Sequence, residues 1–167
     1  MRVEYINPFV ESAFSVLTEV MNTDVKRGEI SLKSTSTSIK GVAALVGLAG
    51  DVEGRVLFDM TRDTALGVAS VMAVFACVLE EGEKFTTFDD MAKATIQELA
   101  NMITARAVDK LHDLGYKFDL TPPALFTGEN MEISNNLEVE ALIVPMEISA
   151  GGKKGKIEIN VVIRERM

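Results

Sequence analysis

The chain is poor in the residues that usually form disulfides, metal sites and nucleophilic triads. Its 167 residues include one cysteine, one histidine, four prolines and no tryptophan. Cys77 cannot form a disulfide within the chain, and His112 has no cysteine or histidine near it at metal-ligand spacing. We therefore interpret His112 as a solvated surface residue. No charged segment followed by an apolar run opens the sequence, so a cytoplasmic location is expected.

Basic residues and long apolar runs are also scarce. Lys and Arg number 17 against 25 Asp and Glu, which gives a formal net charge of −8. Nucleic acids and anionic membranes are bound through basic surfaces, so neither is an expected partner. The apolar run from Leu66 to Leu79 is shorter than the roughly 20 residues that cross a bilayer. We predict that it belongs to a helix, from about Asp63 to Leu79, that is either enclosed in the core or partly placed in a subunit interface.

The length fits a single domain spanning residues 1–167, in which helix, extended segment and hairpin occur twice in the same order. The first set comprises a helix with Asn7 as N-cap and Pro8 at its first position, ending near Asn22, an extended segment from Asp24 to Leu32, and a hairpin of Ile39–Leu48 and Val52–Asp59 turned by Gly50-Asp51. The second set comprises a helix from Thr87 to Leu114, a strand from Lys117 to Leu120, and a hairpin of Val139–Ser149 and Lys156–Ile163 turned by Gly151-Gly152. We predict an α/β (α+β) fold, with a pseudo-symmetric sheet built from two helix–strand–hairpin units and long helices packed on it.

Two polar residues of the long second helix lie opposite its apolar stripe. The stripe follows the three-and-four spacing of a helix with one buried face, from Ala92 through Ile103 to Leu114. Glu98 and Asn101 project from the other side, and their i, i+3 spacing makes them neighbours. The residues expected around them on this outer face are small or apolar: Ala94, Ala105 and Val108. Such a face is either ordinary solvated surface or a place where another protein docks.

Several segments of the chain resemble the CheX-type chemotaxis phosphatases of the CheC/CheX/FliY family. The segments keep the family's order over nearly the whole chain: Tyr5–Phe9, Val46–Gly54, Glu98-Leu-Ala-Asn101 with Met102-Ile103, Leu114–Tyr116, Lys117–Asp119 and Pro122-Pro123. One departure is Ala94, which stands where the family usually has an acidic or hydroxyl residue. The first helix has no equivalent pair, because Glu11 is followed three residues later by Phe14. One site per chain is also what the CheX-type resemblance implies.

The resemblance implies a protein phosphatase that hydrolyses the aspartyl phosphate of a CheY-like response regulator. Asn101 is implied to orient the attacking water and Glu98 to pair with the receiver's lysine, so these two residues are the expected catalytic pair. The chain is expected to need no cofactor of its own, since the Mg²⁺ is carried by the receiver. A homodimer is also implied. Two alternatives stay open: a receiver-binding adaptor or sensor module without significant catalysis, and a purely structural oligomer.

Overall fold

Three helices and ten strands form in the parts of the chain that the computed structural model describes, residues 3–21, 24–33, 37–129, 131–133, 140–150 and 152–165. The helices are α1 (Val3–Met21), α2 (Arg62–Phe75) and α3 (Asp90–Asp113). The strands are β1 (Lys26–Arg27), β2 (Ser31–Lys33), β3 (Thr37–Ser38), β4 (Val42–Gly50), β5 (Val52–Met60), β6 (Phe118–Leu120), β7 (Ala124–Thr127), β8 (Glu132–Ile133), β9 (Ala141–Ala150) and β10 (Lys153–Glu165). The predicted boundary and turn residues Asn22, Val139 and Gly151 lie outside the described residues.

The main sheet has eight antiparallel strands and a pseudo-twofold arrangement about its centre. Its order is β1-β9-β10-β5-β4-β6, with β2 also pairing with β9 and β7 also pairing with β4. The hairpins β4–β5 and β9–β10 meet through their inner strands, where Ile159 pairs with Phe58. Each half also adds its short strands to the hairpin of the other half. The predicted pseudo-symmetric mixed fold is therefore confirmed, and this exchange of short strands is a feature that the sequence did not indicate.

All three helices cover the same face of the sheet, so alternate residues of each strand point toward them. The even-numbered residues of β4, such as Val46, and the odd-numbered residues of β10, such as Ile159, are buried under the helices in one large core. The opposite face carries a smaller apolar cluster around Ala43 and Leu57, covered in part by the two-stranded β3–β8 sheet. Because no described helix covers this opposite face, the fold has two main layers, the helices and the sheet.

The first helix begins earlier than its sequence signals indicated. Pro8 lies inside α1, which already includes Val3, so the prediction of Asn7 as N-cap is wrong. A proline this close to a helix start removes only one internal hydrogen bond, the one that its nitrogen would have donated to Glu4. Tyr5 is buried at 4% exposure, and its ring meets that of Tyr116 edge-on at 4.9 Å. Packing of this first turn against the core thus outweighs the local preference for a break before proline.

Helix α2 begins within one residue of its predicted start, and α3 ends within one residue of its predicted end but begins at Asp90 instead of Thr87. Both helices have N-caps that the sequence analysis did not identify. The Thr61 hydroxyl accepts a hydrogen bond from the Thr64 amide at the start of α2, and the Asp89 carboxylate accepts one from the Ala92 amide at the start of α3. Helix α2 stops at Phe75, short of the predicted Leu79. Its outer end is exposed, since Phe75 keeps 52% of its accessible surface.

Candidate functional site

Helix α3 holds Glu98 and Asn101 on its outer face, as the sequence predicted. The residues of the apolar stripe from Ala92 to Leu111 are buried, with Ile96, Leu99 and Ile103 exposed by no more than 2%. Leu114, predicted as the last residue of the stripe, lies just past the end of α3 and is 61% exposed, so that part of the prediction is wrong. Glu98 and Asn101 are both exposed, and their Cβ atoms are about 5–6 Å apart at this spacing. The pair lies in the middle of a 24-residue helix, so its backbone is rigid and its side chains point into solvent.

The prediction is wrong for one residue that was expected on this outer face. Val108 is buried at 7% exposure, whereas Ala94 and Ala105 are exposed as predicted. Helix α3 packs against α1 as well as against the sheet, which widens its buried side beyond one stripe. Arg106 marks the seam with α1, since its guanidinium approaches the Ser15 hydroxyl at 3.1 Å. The exposed face around Glu98 and Asn101 is therefore narrower than the periodicity indicated.

A short segment between β6 and β7 stands beside this face, and we call residues 121–123 the proline wall. Its first residue, Thr121, is fixed to strand β4: its amide donates to the Gly47 carbonyl at 3.0 Å, and its hydroxyl accepts from the Gly47 amide at 2.8 Å. Its last residue, Pro123, accepts a hydrogen bond from the Gln97 amide group of α3 at 3.1 Å. The proline wall is thus tied at one end to the sheet and at the other to the helix.

An open groove of about 500 Å³ runs between α3 and the proline wall. It is lined by Ala94, Gln97, Glu98 and Asn101 of the helix and by residues 120–123. Glu98 is the single charged residue of this lining, and the opposite wall is formed by Leu120, Thr121 and the two prolines. Sequence reasoning identified Glu98 and Asn101 but missed Gln97 and the proline wall. The Pro122-Pro123 pair was visible in the sequence, but its contact with Gln97 depends on the tertiary fold.

His112 is exposed, as predicted, but it is also in contact with its neighbours. Its Nε2 lies 3.3 Å from the carbonyl oxygen of Phe118, and its ring meets the Phe118 ring edge-on at 5.8 Å. It therefore helps to attach the end of α3 to β6. Within the described ranges, no group of three or more His, Cys, Asp or Glu side chains could hold a metal ion. Across the same residues, no helix has the length and apolarity needed to cross a membrane.

A second polar cluster lies on the helix-free face of the sheet. Asp59 is fully buried, and its carboxylate accepts a hydrogen bond from the Lys40 amide at 3.0 Å. Burial raises the pKa of Asp59, and the nearby Lys40 charge only partly opposes this. Burial alone would also raise the pKa of Glu158, but the ammonium groups of Lys40 and Lys156 outweigh it and lower that pKa. The cluster links β5, β10 and the segment before β4.

The fold and this site indicate a protein that acts on another macromolecule. An acid–amide pair projecting from a rigid helix, beside an open and mostly uncharged groove, suits contact with another macromolecule better than enclosure of a small molecule, since ligand pockets bury most of their ligand. The profile of the family described as "Chemotaxis phosphatase CheX" matches residues 42–147. The chain belongs to this family.

Individual relatives agree with that assignment. The chain is 27% identical over 135 residues to the CheY-P phosphatase CheX of Thermotoga maritima, covering 81% of this chain and 83% of that protein. It is similar to the crystal structure of the CheX-CheY-BeF3-Mg complex from Borrelia burgdorferi, with 44% identity, a TM-score of 0.79 and coverage of 98% and 100% of the two chains. A CheC-like superfamily protein from Shewanella sp. PV-4 has 29% identity, a TM-score of 0.78 and coverage of 97% and 99%. The predicted family, with its class of phosphatase, is confirmed.

Proposed function

We propose that this protein hydrolyses the aspartyl phosphate of a CheY-like receiver, using Asn101 and Glu98 of α3 as its catalytic pair. The observation that supports this proposal most directly is the exposure of both side chains on a rigid helix beside an open groove. A partner's phosphorylated site can approach such a projecting pair, whereas a buried pair would be out of reach. The relative from Borrelia burgdorferi, crystallised with CheY, BeF3 and Mg²⁺, supports the choice of partner.

Asn101 is the group suited to orient the water. Hydrolysis of an acyl phosphate requires a water in line with the leaving oxygen, and positioning contributes much of the rate. A carboxamide both donates and accepts hydrogen bonds and does not titrate near neutral pH. When the receiver docks on α3, the Asn101 side chain enters the receiver's site: its carbonyl oxygen accepts a hydrogen bond from the water, the water oxygen attacks phosphorus, and the protons of the water leave with the phosphate product or pass to solvent. The P–O bond to the aspartate breaks, releasing inorganic phosphate and the receiver carboxylate.

Glu98 is suited to anchor the receiver. Its carboxylate lies one helical turn before Asn101, so a receiver lysine beside the phosphoryl group can pair with it while Asn101 reaches the phosphorus. This pairing fixes the register of α3 in the receiver's site. The Mg²⁺ of the reaction belongs to the receiver and is part of the substrate.

Phosphate release from a phosphorylated CheY-like receiver tests the proposal. Wild-type protein is expected to accelerate the release, and Asn101→Ala is expected to abolish the acceleration while still binding the receiver. The matched control is Ala105→Ser, a small change at an exposed position one turn further along α3. A wild-type protein that accelerates nothing across a panel of receivers contradicts the proposal.

The adaptor hypothesis makes a different prediction in the same assay. It is favoured by one observation, Ala94, because this groove residue replaces the acidic or hydroxyl residue usual in the resembling family. An adaptor would bind a receiver carrying BeF3 but leave the rate of phosphate loss unchanged. Measuring binding and rate with the same receiver therefore separates the two functions.

The homodimer and the single domain also stay predictions. Phe75 and Val78 are 52% and 56% exposed at the end of α2, so this end of the apolar helix has surface available for a subunit contact. Light scattering of the purified chain is expected to give twice the 18.2 kDa monomer mass. A single calorimetric unfolding transition is expected for one domain.

A further inference from the structure

The groove beside Glu98 and Asn101 has a wall that is held in place before any partner arrives. Thr121 makes two hydrogen bonds to Gly47 of β4, and Pro123 accepts one from Gln97 of α3. Two consecutive prolines limit the backbone between these ties, since each fixes its own φ and restricts the residue before it. The wall therefore presents a fixed surface at a fixed distance from the catalytic helix.

The lining of the groove indicates what it can bind. Glu98 supplies its single charge, between Ala94 and Asn101 on the helical side, and Ala94, Leu120, Pro122 and Pro123 supply apolar surface. Ala94 and Pro122 are exposed, and Pro123 is half-buried, so this apolar surface is accessible. The side of the groove formed by Ala94, Leu120 and the two prolines is uncharged, and such a surface suits an apolar side chain of a partner more than a phosphate or a basic segment. The groove is continuous with Asn101, so a partner that occupies it also covers the catalytic pair.

We propose that the proline wall and Ala94 form a second docking contact that takes an apolar side chain of the receiver, and that Gln97 is a positioning residue that holds the wall. This inference rests on the proposed function and adds a second contact that contributes to the affinity for the receiver. The contact forms on docking and is the same in the transition state. Its loss therefore raises KM and leaves kcat unchanged.

Two variants loosen the wall from opposite ends. Gln97→Met keeps the length of the side chain but removes the donor to Pro123, and Thr121→Val keeps the shape but removes the acceptor for the Gly47 amide. Each is expected to raise KM, and to raise the Kd for the BeF3-loaded receiver, by roughly two- to tenfold, the range expected for one neutral hydrogen bond. The value of kcat is expected to stay within about twofold of wild type.

Two controls separate docking from general damage to the structure. Thr121→Ser restores the hydroxyl that Thr121→Val lacks and is therefore expected to raise KM less than Thr121→Val does. Thr95→Val removes a hydroxyl that donates to the Met91 carbonyl of the same helix, outside the lining of the groove, and is expected to leave KM unchanged. Urea unfolding of every variant reports whether stability has changed, and a rise in KM that follows stability across the set, controls included, overturns the proposal.

Ionic strength identifies the chemistry of the contact. The effects of Gln97→Met and Thr121→Val are expected to be equal at low and high salt, because apolar contacts are not screened, whereas the effect of Glu98→Gln shrinks as salt rises. Unchanged KM and Kd in both wall variants, or a fall in kcat alone, overturn the docking proposal even if wild type is an active phosphatase. An inactive wild type overturns the proposed function instead, and the Kd series then still tests the groove.

Discussion

Replacing Asn101 by alanine is expected to stabilise the protein while removing its activity. Asn101 lies near the middle of α3 with an exposed side chain, more than two turns from either end. Alanine is the better helix former at such a position by about 0.5 kcal/mol. The hydrogen bonds that the Thr104 hydroxyl makes to the carbonyls of Ala100 and Asn101 involve only the backbone of those residues, so the substitution leaves them in place. The substitution is therefore expected to cost no stability.

The expected magnitudes are opposite in sign for folding and for catalysis. A gain of about 0.5 kcal/mol shifts the unfolding midpoint upward by roughly 1–2 °C in a chain of this size. Loss of the group that orients the water is expected to lower kcat by about 100-fold or more, the scale reported for misplaced or missing positioning groups. Few mechanisms other than a direct role in the reaction lower activity in a more stable protein.

The assay combines thermal unfolding with the rate of phosphate release by the same preparations. Asp109→Ala is the control, because Asp109 is exposed on α3 two turns beyond Asn101 and aspartate is a poor helix former. It is expected to gain stability and to keep its activity. The reasoning is refuted if Asn101→Ala keeps more than about a tenth of wild-type kcat, or if it loses activity and stability together.

Three further predictions concern the anchor, the groove and the buried carboxylate. Glu98→Gln removes the charge that pairs with the receiver's lysine, so KM is expected to rise roughly tenfold or more, with a smaller change in kcat, in steady-state phosphate release. Ala94→Leu fills part of the groove and is expected to weaken binding of a BeF3-loaded receiver several-fold, whereas Ala76→Leu, at the exposed end of α2, leaves it unchanged. Asp59 has a pKa above its ordinary value of 3.8, so the folded state holds this proton more tightly than the unfolded state does. Stability from this group is present at low pH and is lost as pH rises through the folded pKa, and the unfolding free energy of Asp59→Asn is therefore expected to rise relative to wild type between pH 4 and pH 7.

Each of these predictions has a contradicting outcome. A Glu98→Gln variant with unchanged KM at low salt would remove the proposed lysine pairing. Equal effects of Ala94→Leu and Ala76→Leu would show that an added leucine weakens binding regardless of the groove. A difference between Asp59→Asn and wild type that stays constant with pH would show that the carboxyl titrates alike in the folded and unfolded chains.

Much of the fold was predictable because its signals are local. The stripe of α3 repeats over six turns, and the hairpins have glycine at their turns; Gly50 adopts a φ of 139°, and a Cβ atom there would lie 2.6 Å from the Lys117 carbonyl oxygen. The start of α1 was not predictable in this way. The local preference set by Pro8 was outweighed by burial of Tyr5 against residues far along the chain.

The same distinction between local and long-range signals applies to the candidate site. Glu98 and Asn101 share one helix, so their spacing alone placed them together on its outer face. The Gln97–Pro123 and Thr121–Gly47 hydrogen bonds join residues distant in sequence, and no periodicity predicts them. Val108 was misassigned because one angular stripe does not describe a helix that packs on two sides.

The exchange of short strands between the two halves makes the folding of each half depend on the other. Lys26 of β1 pairs with Glu147 of β9, and Leu48 of β4 pairs with Leu120 of β6, so each hairpin has an edge supplied by the opposite half. Neither half can finish its own sheet, and folding is expected to be a single concerted event, slow for the chain's size because its contacts are long-range. Two peptides separated at the exposed Gly82 would each lack strands that the other carries. We therefore expect the two fragments to be complementary, so that each folds only when the other is present.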